Sequence, residues 1–367
     1  MRITRHSYKS RSLNIVLLLL GAIVIKGCGA QTNVINEANA NSKANLIFSS
    51  MWVEYKNKFI SKSGYLTDSY HKISHSEGQG TAMLFAAIAG DIQTFEDVWI
   101  WTKNNLQRPD KLFAWRWDPR SSPHITDYNN ATDGDVLIAW ALLVGYEKWG
   151  KQIYREQAKD IVEAIKKDLV VRFAGRQMLL PGSMYYFNSD SVTLNLSYFI
   201  LPALKAFASY DDLKLWNRVY MDGLYLIETA GESLSAIPSD WIDLTSSGDM
   251  QLSPKHGSKT GYDAIRIPLY LAWCGHQKLL VPYKSFWKNT GGWKNSPSWI
   301  NLQTYDRAHY PPEPGILSIR SLSYVNGNNY LLRHHSVKDY FSSSLVMFSL
   351  LAEQKTGCSH SGHKLTQ

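Results

Sequence analysis

Three short acidic segments could do chemistry in this chain of 367 residues. They are Ser76-Glu77-Gly78-Gln79-Gly80, then Ala131-Thr132-Asp133-Gly134-Asp135, and far downstream Gly261-Tyr262-Asp263-Ala264-Ile265-Arg266. Each sets one or two carboxylates where a polar turn gives way to an apolar helical pattern. Side chains at such places can face a cleft without disturbing a core. Carboxylates that converge from distant parts of a chain, among many aromatic rings, are what hydrolysis of a sugar bond requires.

Each carboxylate also has a plainer reading. Glu77 could simply favour a helix dipole behind a Ser76 cap. Gly78 and Gly80 weaken that reading, because glycine costs helix stability; close approach of a ligand to the backbone explains them better. A Glu half-sunk among Trp and Phe would stay protonated long enough to act as a general acid. One aspartate of Asp133-Gly134-Asp135 is expected to cap its helix and the other, Asp133, to face the cleft. The pair does not extend into a calcium loop, which needs further acidic positions and a terminal Glu. Asp263 and Arg266 are three apart and would share a helix face, either as a local ion pair or with Arg266 keeping Asp263 ionised to draw a proton from water.

Aromatic residues are the compositional outlier: 13 Trp, 21 Tyr and 12 Phe. In Trp115-Arg116-Trp117 the alternation does not suit a helix core, so a loop with at least one exposed Trp is expected, a platform for a sugar ring. Tyr198 and Trp241 are weaker candidates. Asn195-Leu196-Ser197 matches a glycosylation sequon but follows a bacterial type of export signal, and is discounted.

The elements that must position these groups read as helices. Apolar residues recur at i, i+3, i+4 spacing over 44–59, 78–89, 92–106, 134–149, 151–169, 192–209, 214–229, 262–274, 280–288 and 339–353. Pro181-Gly182, Pro238, Pro254, Pro311-Pro312 and Pro314-Gly315 mark loops, and short strands are expected only as decoration, for example over 177–180. With 44% hydrophobic and 19% charged residues, a packed globular domain follows. Ten or more paired helices fit either a closed toroid or an open solenoid; no repeat of about 34 to 45 residues is present, which favours the toroid.

Residues 1–28 read as an export signal, with Arg2, Arg5, Lys9 and Arg11 ahead of an apolar run from Leu13 to Ile25 that is too short for a comfortable membrane span. Ile25-Lys26-Gly27-Cys28 resembles a lipobox, with Cys28 as the lipidated residue; plain cleavage near Ala30 is the alternative. Both export the protein, as a periplasmic, outer-membrane or secreted product whose membrane contact is a lipid anchor at most. Residues 29–44 then form a polar tether, 45–356 the folded domain and 357–367 a polar tail. Cys274 reads as a buried, inert thiol and Cys358 as part of the tail, so neither a disulfide framework nor a zinc site is implied. The formal charge of +8 includes the removable segment, and the remaining Lys and Arg are scattered, which excludes nucleic acid as the expected partner.

Together these segments resemble glycoside hydrolase family 8, the bacterial cellulases. Ala131-Thr132-Asp133-Gly134-Asp135, followed by Ile138-Ala139 and ending at Trp149, is similar to the family signature. Ser76 to Gly80 resembles the segment of the proton donor, and Tyr262 to Arg266 that of the base. Lys111-Leu112-Phe113 with Trp115-Arg116, and Leu194 to Tyr198, resemble the endoglucanases that accompany bacterial cellulose synthesis. The resemblance implies an all-α (α/α)6 barrel of inner and outer helices and hydrolysis of β-1,4-glucan with inversion. It implies Glu77 as proton donor, Asp263 as base, Asp133 holding the sugar at the cleavage point, and Trp115, Tyr198, Tyr262 and Arg266 along the glucan path. No metal or organic cofactor is needed. The cellulose synthase machinery is an expected partner. Xylan or chitosan as the polymer, or glucan binding without catalysis, are the rival readings. Thr81-Ala82 departs from the family's Tyr-Gly, where an altered sugar subsite is expected, and Gly145 from its Ala.

Overall fold

The computed structural model describes residues 42–354 and 358, apart from 185, 189, 234–235, 325–327 and 332–335. The expected export signal, Cys28 and nearly all of the expected tether lie outside the described residues. Among the described residues twelve α-helices follow in order: α1 (42–59), α2 (Ser76–Ala89), α3 (Ile92–Asn105), α4 (Thr132–Trp149), α5 (Gln152–Asp168), α6 (Leu201–Tyr210), α7 (Leu213–Ser233), α8 (Arg266–Trp273), α9 (Val281–Asn289), α10 (Pro314–Ser321), α11 (Asn328–Leu331) and α12 (Tyr340–Glu353).

Their composition sorts them into two layers. Every residue of α8 is buried, as are most of α2, α4 and α12, and these helices are apolar on all sides. In α3, α5 and α9 only one stripe is buried, and charged residues occupy the other face. A helix apolar all round must sit inside, whereas an amphipathic one can face water. The even-numbered helices therefore form the inner ring and the odd-numbered ones the outer ring of an (α/α)6 barrel. Rings from four inner helices fill the centre: Phe85 meets Phe348 at 4.8 Å, Phe348 meets Trp273 at 6.2 Å and Trp273 meets Trp140 at 5.7 Å. The outer layer is tied in by polar contacts such as Tyr55 Oη to Ser344 Oγ at 2.9 Å, between α1 and α12.

Short antiparallel strands decorate the loops. β1 (Ser74–His75) pairs with β2 (Arg116–Trp117), β3 (Val170–Phe173) with β4 (Arg176–Leu179), and β8 (Lys259–Thr260) with β9 (Ile300–Asn301), while β5 (Ser191–Leu194), β6 (Ile242–Thr245) and β7 (Met250–Leu252) form a three-stranded sheet in that order.

Three expectations are corrected. The helical pattern over 192–209 splits: Val192 and Thr193, β-branched, lie in β5 beside β6, and helix resumes only at Leu201. Pro314 does not end structure but opens α10, where a missing N–H is no loss. Cys274 and Cys358 are joined in a disulfide with their Cα atoms 5.0 Å apart, so the first is not a free thiol and the second is pinned to the end of α8.

Candidate active site

The construction begins where α2 meets α4. A Cβ on Gly134 would lie 2.1 Å from Ser76 Oγ and 2.8 Å from the Glu77 amide nitrogen. One on Gly80 would lie 2.6 Å from Leu137 Cβ. These glycines thus let the two inner helices touch, and the expectation that Gly78 and Gly80 admit a ligand is replaced by helix packing: a Cβ on Gly78 would meet Leu66, His75 and Tyr340. The contact sets Glu77 and Asp133, both in first helical turns, side by side. Ser76 is not the cap of α2; His75 is, its Nδ1 accepting from the Gly78 amide at 3.0 Å.

Asp133 and Asp135 part company. Asp135 is fully buried and turns inward, where Oδ1 accepts from the Phe113 amide at 2.9 Å and Oδ2 from Asn130 Nδ2 at 2.6 Å. It ties down the segment that leads to Trp115 rather than capping α4, whose start at Ala131 has no side-chain cap. Burial pushes its carboxyl up to about 7 against the pull of those two donors. Asp133 faces the cluster instead. Burial first, then the charge of Glu77, hold its carboxyl well above the usual carboxylate range.

Asp263 arrives from the opposite side, on the turn between β8 and α8 rather than within a helix. Arg266, at the first position of α8, joins the two walls. Its Nη2 donates to Glu77 Oε1 at 2.6 Å and its Nη1 to Asp263 Oδ1 at 3.2 Å. The ion pair of Arg266 with Asp263 expected from their spacing is therefore half of the arrangement, and Glu77 is ion-paired rather than sunk in an apolar pocket. One guanidinium carries both contacts, so the two carboxylate oxygens lie within roughly 8 Å of each other. The side chains stay partly open to solvent, 23% for Glu77 and 32% for Asp263, while Arg266 beneath them is 11% exposed. Asn195 Nδ2 donates to the second oxygen of Asp263 at 3.1 Å. Burial raises the Asp263 carboxyl, Arg266 draws it back and the charge of Glu77 raises it again; the net position is above the ordinary value.

Aromatic side chains border this cluster. The β1–β2 pairing sets His75 opposite Arg116, and the Ser76 amide donates to the Trp115 carbonyl at 3.0 Å, so Trp115 stands beside the segment of Glu77. Its indole donates to Asp127 at 2.8 Å and its ring is partly exposed, whereas Trp117 packs against Trp101 at 5.3 Å. Tyr198 is half-buried near Asp133 and Asp263, edge-on to Trp241. Trp241 lies parallel to Tyr186 at 6.0 Å and is stacked on His256 at 4.5 Å. Tyr262 is fixed by bonds of its hydroxyl to Tyr310 at 2.7 Å and Glu313 at 3.0 Å. Thr81 and Ala82 are fully buried in α2, so that departure from the family pattern touches no sugar directly.

Sequence reasoning missed Asn195, Tyr186 and Asp240. The first stands in a sequon and within the Leu194 to Tyr198 segment, but was given no role of its own. It is fully buried, and its Oδ1 accepts from the Ser197 amide and hydroxyl, which orients the Nδ2 group toward Asp263.

An (α/α)6 barrel with paired acidic groups across an aromatic cleft defines the class, a glycoside hydrolase. The sequence model described as Glycosyl hydrolases family 8 matches residues 28–355, and the chain belongs to that family. An endoglucanase of Cellulomonas uda is 39% identical over 275 residues, 74% of this chain and 76% of that protein. The crystal structure of an endoglucanase of Klebsiella pneumoniae, described as a family 8 glycosyl hydrolase, superposes with a TM-score of 0.77 at 37% identity, covering 83% of this chain and 99% of that one. The structure of an endo-β-1,4-glucanase of Acetobacter xylinum gives 0.76 at 33% identity, covering 83% and 97%.

Proposed function

We propose that this protein cleaves β-1,4-glucan internally by single displacement, with inversion at the anomeric carbon. The observation that carries the reading is the Arg266 guanidinium, bound at once to Glu77 and Asp263, with Asp133 alongside. In this reading Glu77, released from Arg266 as substrate enters and taking up a proton, gives that proton to the glycosidic oxygen. Asp263 takes a proton from water on the opposite face of the sugar ring. Asn195 aims the Asp263 carboxylate toward that water. Asp133, facing the same cleft beside Glu77, hydrogen-bonds the sugar at the cleavage point. Trp115, Tyr198 and Tyr262 line the path.

The reading is tested by viscosity loss of carboxymethyl cellulose together with proton NMR of the first product. Wild type should release the inverted anomer; a retained anomer would contradict single displacement. Glu77→Gln should lose about a thousandfold in rate or more and still bind glucan. If it kept half the wild-type rate, the assignment of Glu77 is wrong. A reducing-sugar assay across glucan, xylan and chitosan fixes the polymer.

Export belongs to the same proposal. The basic and apolar N-terminus and the Cys28 motif support it, and so does the Cys274–Cys358 disulfide, since such bonds persist mainly in oxidising compartments. Mass spectrometry of the mature N-terminus distinguishes lipidation at Cys28 from plain cleavage. Association with a cellulose synthase rests on the resemblance to enzymes of cellulose-producing bacteria.

A further inference from the structure

Asp240 takes no part in the scheme above, yet it lies directly behind the base. A proline and two hydrogen bonds fix its place between α7 and β6. Pro238 stiffens the approach, Ser239 Oγ donates to the Trp241 carbonyl at 2.7 Å, and the Asp240 amide donates to the Lys259 carbonyl at 2.7 Å. From there the carboxylate reaches into the turn that bears Asp263. Its Oδ1 accepts from the Gly261 amide and from the Ala264 amide, both at 2.8 Å. The Asp263 amide lies between these two donors in the chain.

Two amides of one short turn therefore converge on one carboxylate oxygen, and they bracket the base. Within the turn, the Ile265 amide closes on the Gly261 carbonyl at 2.9 Å and the Arg266 amide on that of Asp263 at 3.0 Å, while Arg266 Nη1 donates to the Tyr262 carbonyl at 3.1 Å. Close packing on the far side completes the seat, since a Cβ on Gly261 would stand 2.7 Å from Trp299 Cβ. The nearest cation on the adjoining strand, Lys259, lies over the Trp299 ring at 4.3 Å, away from the carboxylate. An acceptor serving two buried amides is held in place, because losing it would leave both donors unsatisfied.

We propose that Asp240 is a positioning residue for the proposed base: it sets the backbone of the 261–265 turn and thereby the direction in which the Asp263 carboxylate meets water and Arg266. The inference rests on the glucanase reading and deepens it. Asp240 touches no sugar. Burial first, then the neighbouring charge of Asp263, push its carboxyl up to about 7.

The test compares Asp240→Ala, which removes the acceptor, with Asp240→Asn, which keeps one oxygen for the Gly261 and Ala264 amides. Asp240→Ala should lower kcat about a hundredfold with KM within about threefold of wild type, and Asp240→Asn should recover kcat to within about tenfold. Unchanged kcat in the alanine variant, a change confined to KM, or no recovery with asparagine would overturn the proposal. Should the alanine variant fail to fold, Asp240→Ser, whose hydroxyl is too short to span the turn, takes its place. Amide hydrogen exchange provides a readout that does not depend on activity. Protection at Gly261 and Ala264 should be lost in the alanine variant and kept in the asparagine variant; equal protection in both would sink the idea. Wild type inactive on every β-1,4 polymer, with this exchange pattern intact, would overturn the glucanase reading and leave the positioning role standing.

Discussion

On one side of the cleft, Glu77 and Asp133 ride on the first turns of α2 and α4, whose backbones touch through Gly80 and Gly134. On the other, Asp263 sits on a turn held by side chains: Asp240 from behind, Asn195 from the side and Arg266 from below. The first wall is set by close packing of regular helices, which is stiff because any added atom must displace backbone. The second is set by directional bonds, each of which can be removed singly while the helices stay in place. The proposed acid is thus positioned by the core and the proposed base by a network. That predicts different failures. Damage to the first wall should cost fold and activity together, and damage to the second should cost activity before stability.

The sharpest way to break the comparison is Gly134→Ala. The new methyl would fall 2.1 Å from Ser76 Oγ, so the helices must separate. A loss of about 3 kcal/mol in stability and of more than a hundredfold in activity is expected, read by denaturant unfolding and viscosity loss. An alanine variant with wild-type stability would show that the first wall is looser than described. Asn195→Ala comes next. It removes the donor at 3.1 Å from Asp263 and should lower kcat about tenfold to a hundredfold with glucan binding retained, measured by initial rates and by affinity electrophoresis. A larger loss of stability than in Gly134→Ala would reverse the contrast between the walls.

The smallest effect concerns Asp135. Unfolded, its carboxyl titrates near the model-compound value of 3.8, and burial lifts it to about 7 in the fold. Between those values only the folded chain holds the proton, so this residue's favourable contribution is full below 3.8 and declines as pH rises toward 7. Unfolding free energy followed from pH 4 to pH 7 should fall more steeply in wild type than in Asp135→Asn. Parallel curves would mean that Asp135 is not the buried acid described.

Much of this was legible before any coordinates. Helical periodicity named nine of the ten expected segments, because an element with one buried face must repeat at the helical spacing. Over 192–209 the pattern misled, since a strand buried on both faces is as apolar as a helix. The acidic positions were legible as carboxylates at helix mouths. Their partners were not: Asn195 and Asp240 are ordinary polar residues in sequence, and only distance makes them neighbours of Asp263. The glycines of the first motif were visible but were given the wrong cause, because a close approach of backbone is the same signal whether a ligand or another helix makes it.

Residue types and local order alone thus determined the helical class, the acidic groups and the kind of reaction they could run. The tertiary structure decided which groups share an arginine, which aspartate of Asp133 and Asp135 faces the cleft, and that Cys274 meets Cys358. Local preference acts over a few residues, whereas charge pairing and side-chain direction depend on elements that meet only after the rings of helices have closed.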